Sequence, residues 1–431
     1  MSDKRIMVLT LSFGSGHVRA AQSVAAEFQR QSPDANVRLT DALENCNLFF
    51  RAFYVWTYWW MIRYAPRVWK KFFESRIARR DRQSAPVWAW KKGCRRIFDE
   101  IRSFEPDLIV ATEVGACEIA VIARRENLTN AEIINVITDF ESEPIWVKPE
   151  IYAYAVADEK VKKQMENWGA GAEKIKVCGI PLNANFAEAH DVNRTKSHFG
   201  LDERPIVLLM GGGMGPTRMS EIAARLLENG ANLQIVALPA KDKKAKTELE
   251  KLQNSASVTL CVVGWTNLIA ELMQASKILA TKPGGLTLSE AAACGLPCVL
   301  FDGIPGPEDT NAAHFVEAGA AVLTKNSDEA ASEILRLLRD EKRLRAMSGN
   351  CRKIAKPAAA REIVELGLRK INPSSGGGQL KFLQPKNPAT RRAFGVWRKS
   401  SARESLLAVL PFDEMRKKPD EKLPLSPEVK I

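Results

Sequence analysis

The chain has 431 residues, a length that suggests two domains plus extras rather than one. Its 45% hydrophobic content allows a sizeable core, and no apolar run reaches the roughly eighteen residues of a membrane-spanning helix. The net charge of +12 asks for an acidic partner: nucleic acid, anionic lipid or a phosphorylated substrate.

The first residues run directly into a stretch, 5–12, that reads as a buried strand, so no signal peptide is expected. A Gly-rich turn, Gly14-Ser-Gly16-His17, leads into a helix from about Val18 to Gln31. A second strand is expected at 37–41. Residues 43–82 are aromatic, basic and helical in period. Between Arg51 and Phe98 thirteen Lys or Arg face two acids, a net charge of +11, and six of the ten tryptophans lie there. Further strands are expected at 108–112, 133–138 and 154–157, with a helix at 115–126. This β-α-β alternation predicts a parallel, doubly wound sheet.

After a break at Val177–Asn183 the pattern restarts. A strand at 205–210 meets the turn Gly211-Gly-Gly-Met-Gly215 and a helix from about Thr217. More strands are expected at 233–238, 258–263, 277–281 and 297–301. A helical stretch near 345–370 closes the ordered part. Beyond it Pro373-Ser-Ser-Gly-Gly-Gly378 reads as a flexible linker into a polar, Pro-rich tail. The eight cysteines (46, 94, 117, 178, 261, 294, 298, 351) show no paired short spacings, and no His cluster joins Cys294 and Cys298 in a zinc site. All eight are read as reduced thiols of a cytosolic protein.

Four constellations carry chemistry. His17 follows a strand and opens a helix; there it suits a general base, although the plain reading is a tight turn with an incidental His. The glycines at 211–215 offer amides and a helix N-terminus to a phosphate, and they lack the Lys-Ser/Thr ending of an ATPase loop. In Lys282-Pro-Gly-Gly-Leu-Thr-Leu-Ser-Glu290 a helix is expected near Thr287, with Glu290 one turn in, placed for a ribose diol or for a capping box. The loop Asp302–Asn311 follows the next strand. All these loops fall at the carboxyl edge of strands, where doubly wound sheets bind ligands. The aromatic basic belt suits a bilayer interface. Its alternatives are a protein-binding face or a partly buried helical pair. Nucleic acid ranks low, because no nucleic-acid motif accompanies the belt.

With these residues in view, the chain resembles the monogalactosyldiacylglycerol synthase and processive diacylglycerol glycosyltransferase family over residues 5–370. The resemblance implies a GT-B fold: two Rossmann-like domains facing a cleft. They would span 1–185, taking the acceptor and docking on the membrane, and 186–344, taking a nucleotide-sugar. A return helix at 345–371 would pack on the first domain, ahead of a flexible tail at 372–431. It implies His17 as catalytic base, with Gly14, Gly16, Asp139 and Trp146 around the acceptor. Gly211, Gly212, Gly213, Gly215, Trp265, Lys282, Gly284, Gly285, Thr287, Glu290, Glu308 and Asn311 would bind the donor. Trp56, Trp59, Trp60, Arg63, Arg67, Trp69, Lys70 and Lys71 would dock on an anionic membrane surface. The implied reaction is inverting, metal-independent transfer of a hexose from a UDP-sugar to diacylglycerol or a similar lipid, without a cofactor, on the cytoplasmic side of the membrane. A polyprenyl-linked or small-molecule acceptor and a non-catalytic nucleotide-sugar sensor are the other readings. Three positions depart from the family pattern. Its loop Gln is Pro307, its Cys-Gly-x-Asn is Ala237–Asp242, and a His after Thr-Asp-Phe is Glu143.

Overall fold

The computed structural model describes residues 4–12, 14–81, 85–212, 217–229, 232–255 and 260–372, without the side chains of Trp59, Arg63, Asn254 and Ser255. Gly213, Gly215 and the tail from Pro373 onward lie outside the described residues.

Two parallel sheets of six strands organise the chain. The first holds β1 (Arg5–Thr10), β2 (Asn36–Asp41), β3 (Leu108–Ala111), β4 (Glu132–Val136), β5 (Ala153–Val156) and β6 (Ile175–Val177) in the order 2-1-3-4-5-6. The second holds β7 (Ile206–Met210), β8 (Gln234–Leu238), β9 (Leu260–Val262), β10 (Ile278–Thr281), β11 (Cys298–Leu300) and β12 (Ala321–Leu323) in the order 12-11-10-7-8-9. The N-terminal half carries α1 (Ser15–Gln31), α2 (Leu48–Tyr64), α3 (Pro66–Arg79), α4 (Val87–Gly93), α5 (Arg95–Phe104), α6 (Val114–Arg125) and α7 (Glu159–Asn167). The C-terminal half carries α8 (Val192–His198), α9 (Met219–Glu228), α10 (Lys243–Ser255), α11 (Ile269–Ala275), α12 (Gly285–Cys294), α13 (Pro307–Glu317), α14 (Ser327–Arg339) and α15 (Glu341–Ile354), and α16 (Ala359–Ile371) ends the described chain.

Central strands are apolar on both faces, as a sheet covered on both sides requires. Met7 and Leu9 of β1 point into a core that runs on through Ile180 and Leu286 to Leu208 and Leu279 of the second sheet. Ile6 and Val8 point the other way, against Val24 and Phe28 of α1 and Ile363 and Val364 of α16. Val207 and Leu209 close a third cluster with α9 and α14.

Four expectations change. The strands β6 and β12 fall where no strand was expected; both are three-residue sheet edges, too short to show a period. The last helical stretch is two helices, broken at residues 355–358. α15 stays with the C-terminal half, where Ser348 Oγ donates to the Gly295 carbonyl at 2.6 Å, and only α16 returns to the first sheet. The helix expected near Thr287 starts at Gly285, with Gly284 at its N-cap. Cys46 and Cys94 form a disulfide, so they are not thiols; the chain folds the start of α2 back on the end of α4, and 48 residues of separation hide that meeting from a spacing argument. The other six cysteines are free.

Because Ile363 is fully buried against Phe28 and Val24, Ile363→Ala is expected to lower stability by about 2–4 kcal/mol. Urea unfolding followed by circular dichroism checks it; a loss below about 1 kcal/mol would mean that α16 is only loosely attached.

Candidate active site

In an open parallel sheet the crevice forms where strand order reverses. In the first sheet that point lies between β1 and β3, in the second between β10 and β7. The residues just beyond those strands are Gly14 to His17, Thr112 and Glu113, Gly211 and Gly212, and Lys282 to Gly285. They meet in one cleft of about 430 Å³, which all of them except Thr112 and Pro283 line.

His17 stands in the first turn of α1. Its Nδ1 lies 3.2 Å from the Thr112 carbonyl and 2.7 Å from Thr138 Oγ1. A carbonyl only accepts, so Nδ1 carries the proton and Nε2 keeps the lone pair. Thr112 Oγ1 donates back to the His17 carbonyl at 3.1 Å. Burial lowers the His17 pKa below its ordinary 6.5, against an upward pull from Asp139 and the Thr112 carbonyl, so the ring is neutral near pH 7. This is the state a general base needs.

Two helix N-termini face the cleft. α1 has Gly14 and α12 has Gly284 at the N-cap, neither with a side-chain cap and neither with an acid in its first turn. Their first amides are therefore left for a ligand, and together with the helix dipoles they favour an anion. Gly284, Gly285 and Thr287 all line the cleft. Gly285 cannot be larger, since a Cβ there would collide with the Thr138 carbonyl of the other half. Lys282, beside this turn, has its pKa lowered by burial and held up by Glu308, Asp302 and Asp242. Glu308 accepts from the Ile304 amide at 2.6 Å, and burial pushes its pKa up to about 7. Asp242 and Asp302 hold the residues just before α9: Thr217 N donates to Asp242 at 3.1 Å and Arg218 N to Asp302 at 3.0 Å.

Three residues expected at the donor stand elsewhere. Glu290, only 2% exposed, pairs with Arg19 across the halves at 2.6 Å and does not line the cleft. Burial pushes its pKa up to about 7 against Arg19, and its Oε2 has no partner among the described residues. Asn311 is buried between the halves: Nδ2 donates to Asp139 Oδ1 at 2.9 Å and Oδ1 accepts from the Phe140 amide at 2.8 Å. Trp265 is 86% exposed on its loop, away from the cleft lining. Among the expected acceptor residues, Gly14, Gly16, Asp139 and Trp146 do line the cleft.

The aromatic belt folds into α2 and α3 and divides by face. Outward stand Phe49, Trp56, Trp60 and Tyr64 of α2, with Arg67 and Lys71 of α3, while the partly exposed rings of Phe53 and Phe72 line the cleft. Inward, Tyr58 meets Trp69 edge-on at 5.1 Å, and both line the cleft with Phe73. Trp69 is thus a correction to the docking set. It is 8% exposed and its Nε1 donates to the Pro305 carbonyl of the C-terminal half at 3.1 Å. Lys70 pairs with Asp309 at 3.2 Å. The backbones of Trp59 and Arg63 belong to α2.

Sequence reasoning missed several residues of the cleft wall: Arg19, Arg76, Glu113 and Glu141. Arg76 of α3 pairs with Glu143, so the acid found in place of the family's His has its own cation. Glu113 accepts from the amides of Gly115 and Ala116 at 2.6 and 3.2 Å, and Thr310 Oγ1 donates to Glu141 at 2.9 Å; burial pushes both acids up to about 7. Only the position of Glu113 after a strand could have signalled a role.

Residues 17–182 match the monogalactosyldiacylglycerol (MGDG) synthase family, and residues 200–354 match glycosyl transferases group 1. A processive diacylglycerol beta-glucosyltransferase of Bacillus licheniformis is 27% identical over 354 residues, covering 82% of this chain and 91% of that protein. MurG of Acinetobacter baumannii superposes with a TM-score of 0.56 at 14% identity, covering 85% of this chain and 99% of the other. HepE of Anabaena, solved with UDP-glucose, superposes at 0.51 and 16% identity, covering 86% and 98%. The expected GT-B architecture stands in the two facing sheets and in these superpositions. With an MGDG-synthase-type N-terminal half joined to a group 1 transferase half around a shared cleft, the chain is a GT-B glycosyltransferase.

Proposed function

We propose that this enzyme transfers a hexose from a UDP-sugar to the free hydroxyl of diacylglycerol, with inversion and without a metal, at the cytoplasmic surface of a membrane. The observation that carries the reading is His17. Its Nδ1 is engaged by Thr112 and Thr138, which leaves Nε2 as the basic atom of a ring that lines the same cleft as the uncapped N-terminus of α12. Nε2 takes the acceptor's proton as the oxygen bonds to the sugar's anomeric carbon. The bond from that carbon to the diphosphate breaks, and its electron pair leaves with UDP. The amides of α12 and α1, with Lys282, supply charge for the departing diphosphate. HepE, solved with UDP-glucose, and the relatives named for diacylglycerol glucosylation support donor and acceptor.

The cleft wall bears on the acceptor too. Five carboxylates line it (Glu113, Asp139, Glu141, Glu143 and Glu308) against three cations (Arg19, Arg76 and Lys282). Burial pushes Glu113, Glu141 and Glu308 up to about 7, so near neutral pH the wall is close to charge balance, which suits a neutral glycerol headgroup. The outward aromatic stripe of α2, with Arg67 and Lys71 of α3 beside it, suits an anionic bilayer surface.

Incubation with labelled UDP-glucose or UDP-galactose and diacylglycerol liposomes is expected to give glycolipid; no product with either sugar would overturn the reading. His17→Ala is expected to lose about 10²–10⁴-fold in turnover while UDP binding by calorimetry is retained. The neutral ring is the active form, so kcat rises with pH through the depressed His17 value and is flat above it. A pH–rate profile should fall only below the ordinary 6.5; an acid limb centred above that value contradicts the assignment. Replacing Trp56 and Trp60 together by Ala removes two exposed rings. It should weaken co-sedimentation with anionic vesicles by tenfold or more, on the order of 1.5–3 kcal/mol for each ring inserted.

A further inference from the structure

Thr138, Asp139 and Phe140 follow β4 in the N-terminal half, and each touches a different part of the machine. The Thr138 hydroxyl lies 2.7 Å from His17 Nδ1, and its carbonyl abuts Gly285. Asp139 accepts from Asn311 Nδ2, and the Phe140 amide donates to Asn311 Oδ1. The Phe140 ring stacks on His314, one turn further along α13, at 4.4 Å between centroids. Asn311 itself is 0% exposed. A buried side-chain amide whose two ends are satisfied from across an interface fixes the register of that interface. Any slip leaves polar atoms unpaired in a dry place.

We infer that Asn311 and Thr138 are positioning residues that align His17 through docking of the C-terminal half. Asn311 holds the 138–140 segment against α13. The segment presents the Thr138 hydroxyl to Nδ1 and so sets the direction of Nε2. Thr112 holds the ring from the N-terminal half alone; Thr138 makes its orientation depend on the other half. Asn311 then contributes to turnover through the acceptor side, without touching the donor. The proposal rests on His17 being the base.

The test uses the full chain, UDP-sugar and diacylglycerol liposomes, with unfolding midpoints recorded for every variant. Thr138→Val keeps the shape and removes the hydroxyl. Its kcat is expected to fall about tenfold or more, with KM for donor and acceptor within about twofold, and Thr138→Ser is expected to restore most of it. Asn311→Ala should lower kcat likewise while leaving UDP affinity within about threefold. The double variant should be no slower than the slower single, because both break one chain of contacts. If Asn311→Ala does not fold, Asn311→Asp reads the same chain. It keeps the acceptor for Phe140 and turns the Asp139 contact repulsive, so the same kcat loss is expected. Wild-type kcat in Thr138→Val, a pure loss of UDP binding in the Asn311 variant, or losses that multiply in the double variant would overturn the proposal. Failure here is distinct from failure of the base assignment. A His17→Ala variant that still turns over removes the base, whereas a dead His17→Ala beside an unimpaired Thr138→Val removes only the alignment.

Discussion

Two uncapped helix N-termini meet at one cleft, and much of the molecule serves to hold them there. Each terminus is worth about 0.3–1 kcal/mol to a nearby anion at a wet surface and up to about 2 when partly buried. That gain is available only if the ends of α1 and α12 stay aimed at the same volume. Gly14 and Gly284 leave the amides uncapped, and Gly285 lets the Thr138 backbone approach. The reversal of strand order in each sheet puts both helices at the crevice. Arg19 with Glu290, Asn311 with Asp139, and Trp69 with the Pro305 carbonyl then fasten one half to the other.

The aromatic belt does two jobs at once. Its inner rings wall the cleft and reach the C-terminal half, while its outer rings form an exposed stripe. The surface that suits a bilayer is therefore the back of the wall that suits an acyl-bearing acceptor. Arg76, paired with Glu143 in the wall, ties α3 to the loop that carries Asp139.

The legible parts of this structure were those with strong local signals. The β1 and β7 strands, the glycine turns after them and the start of α1 follow from runs of apolar residues and from the cost of glycine. The His17 environment was legible in kind, because a strand, a turn and a helix leave little choice of place. The edges β6 and β12 were not, since Ile-Lys-Val and Ala-Val-Leu carry no period of their own and become strands only by pairing with a formed sheet. Nor was the placing of Glu290 and Asn311. Both sit on helices at the rim of the C-terminal half, and what each meets is decided by the other half. The split of the belt into buried Trp69 and exposed Trp56 has the same cause. Both are tryptophans on basic helices, and only the approach of Pro305 tells them apart.

The return of α16 makes the N-terminal half discontinuous in sequence. Ile363 and Val364 complete the layer over Val24 and Phe28, yet they follow the whole C-terminal half along the chain. A chain made from its N-terminus at about 5–20 residues per second exposes that apolar layer until α16 emerges. The second sheet is complete by then, so the half that begins first is sealed last. Assembly of the cleft is in this sense an act of closure by α16, and a nascent chain stopped between residues 323 and 359 carries a complete second sheet beside an open first one.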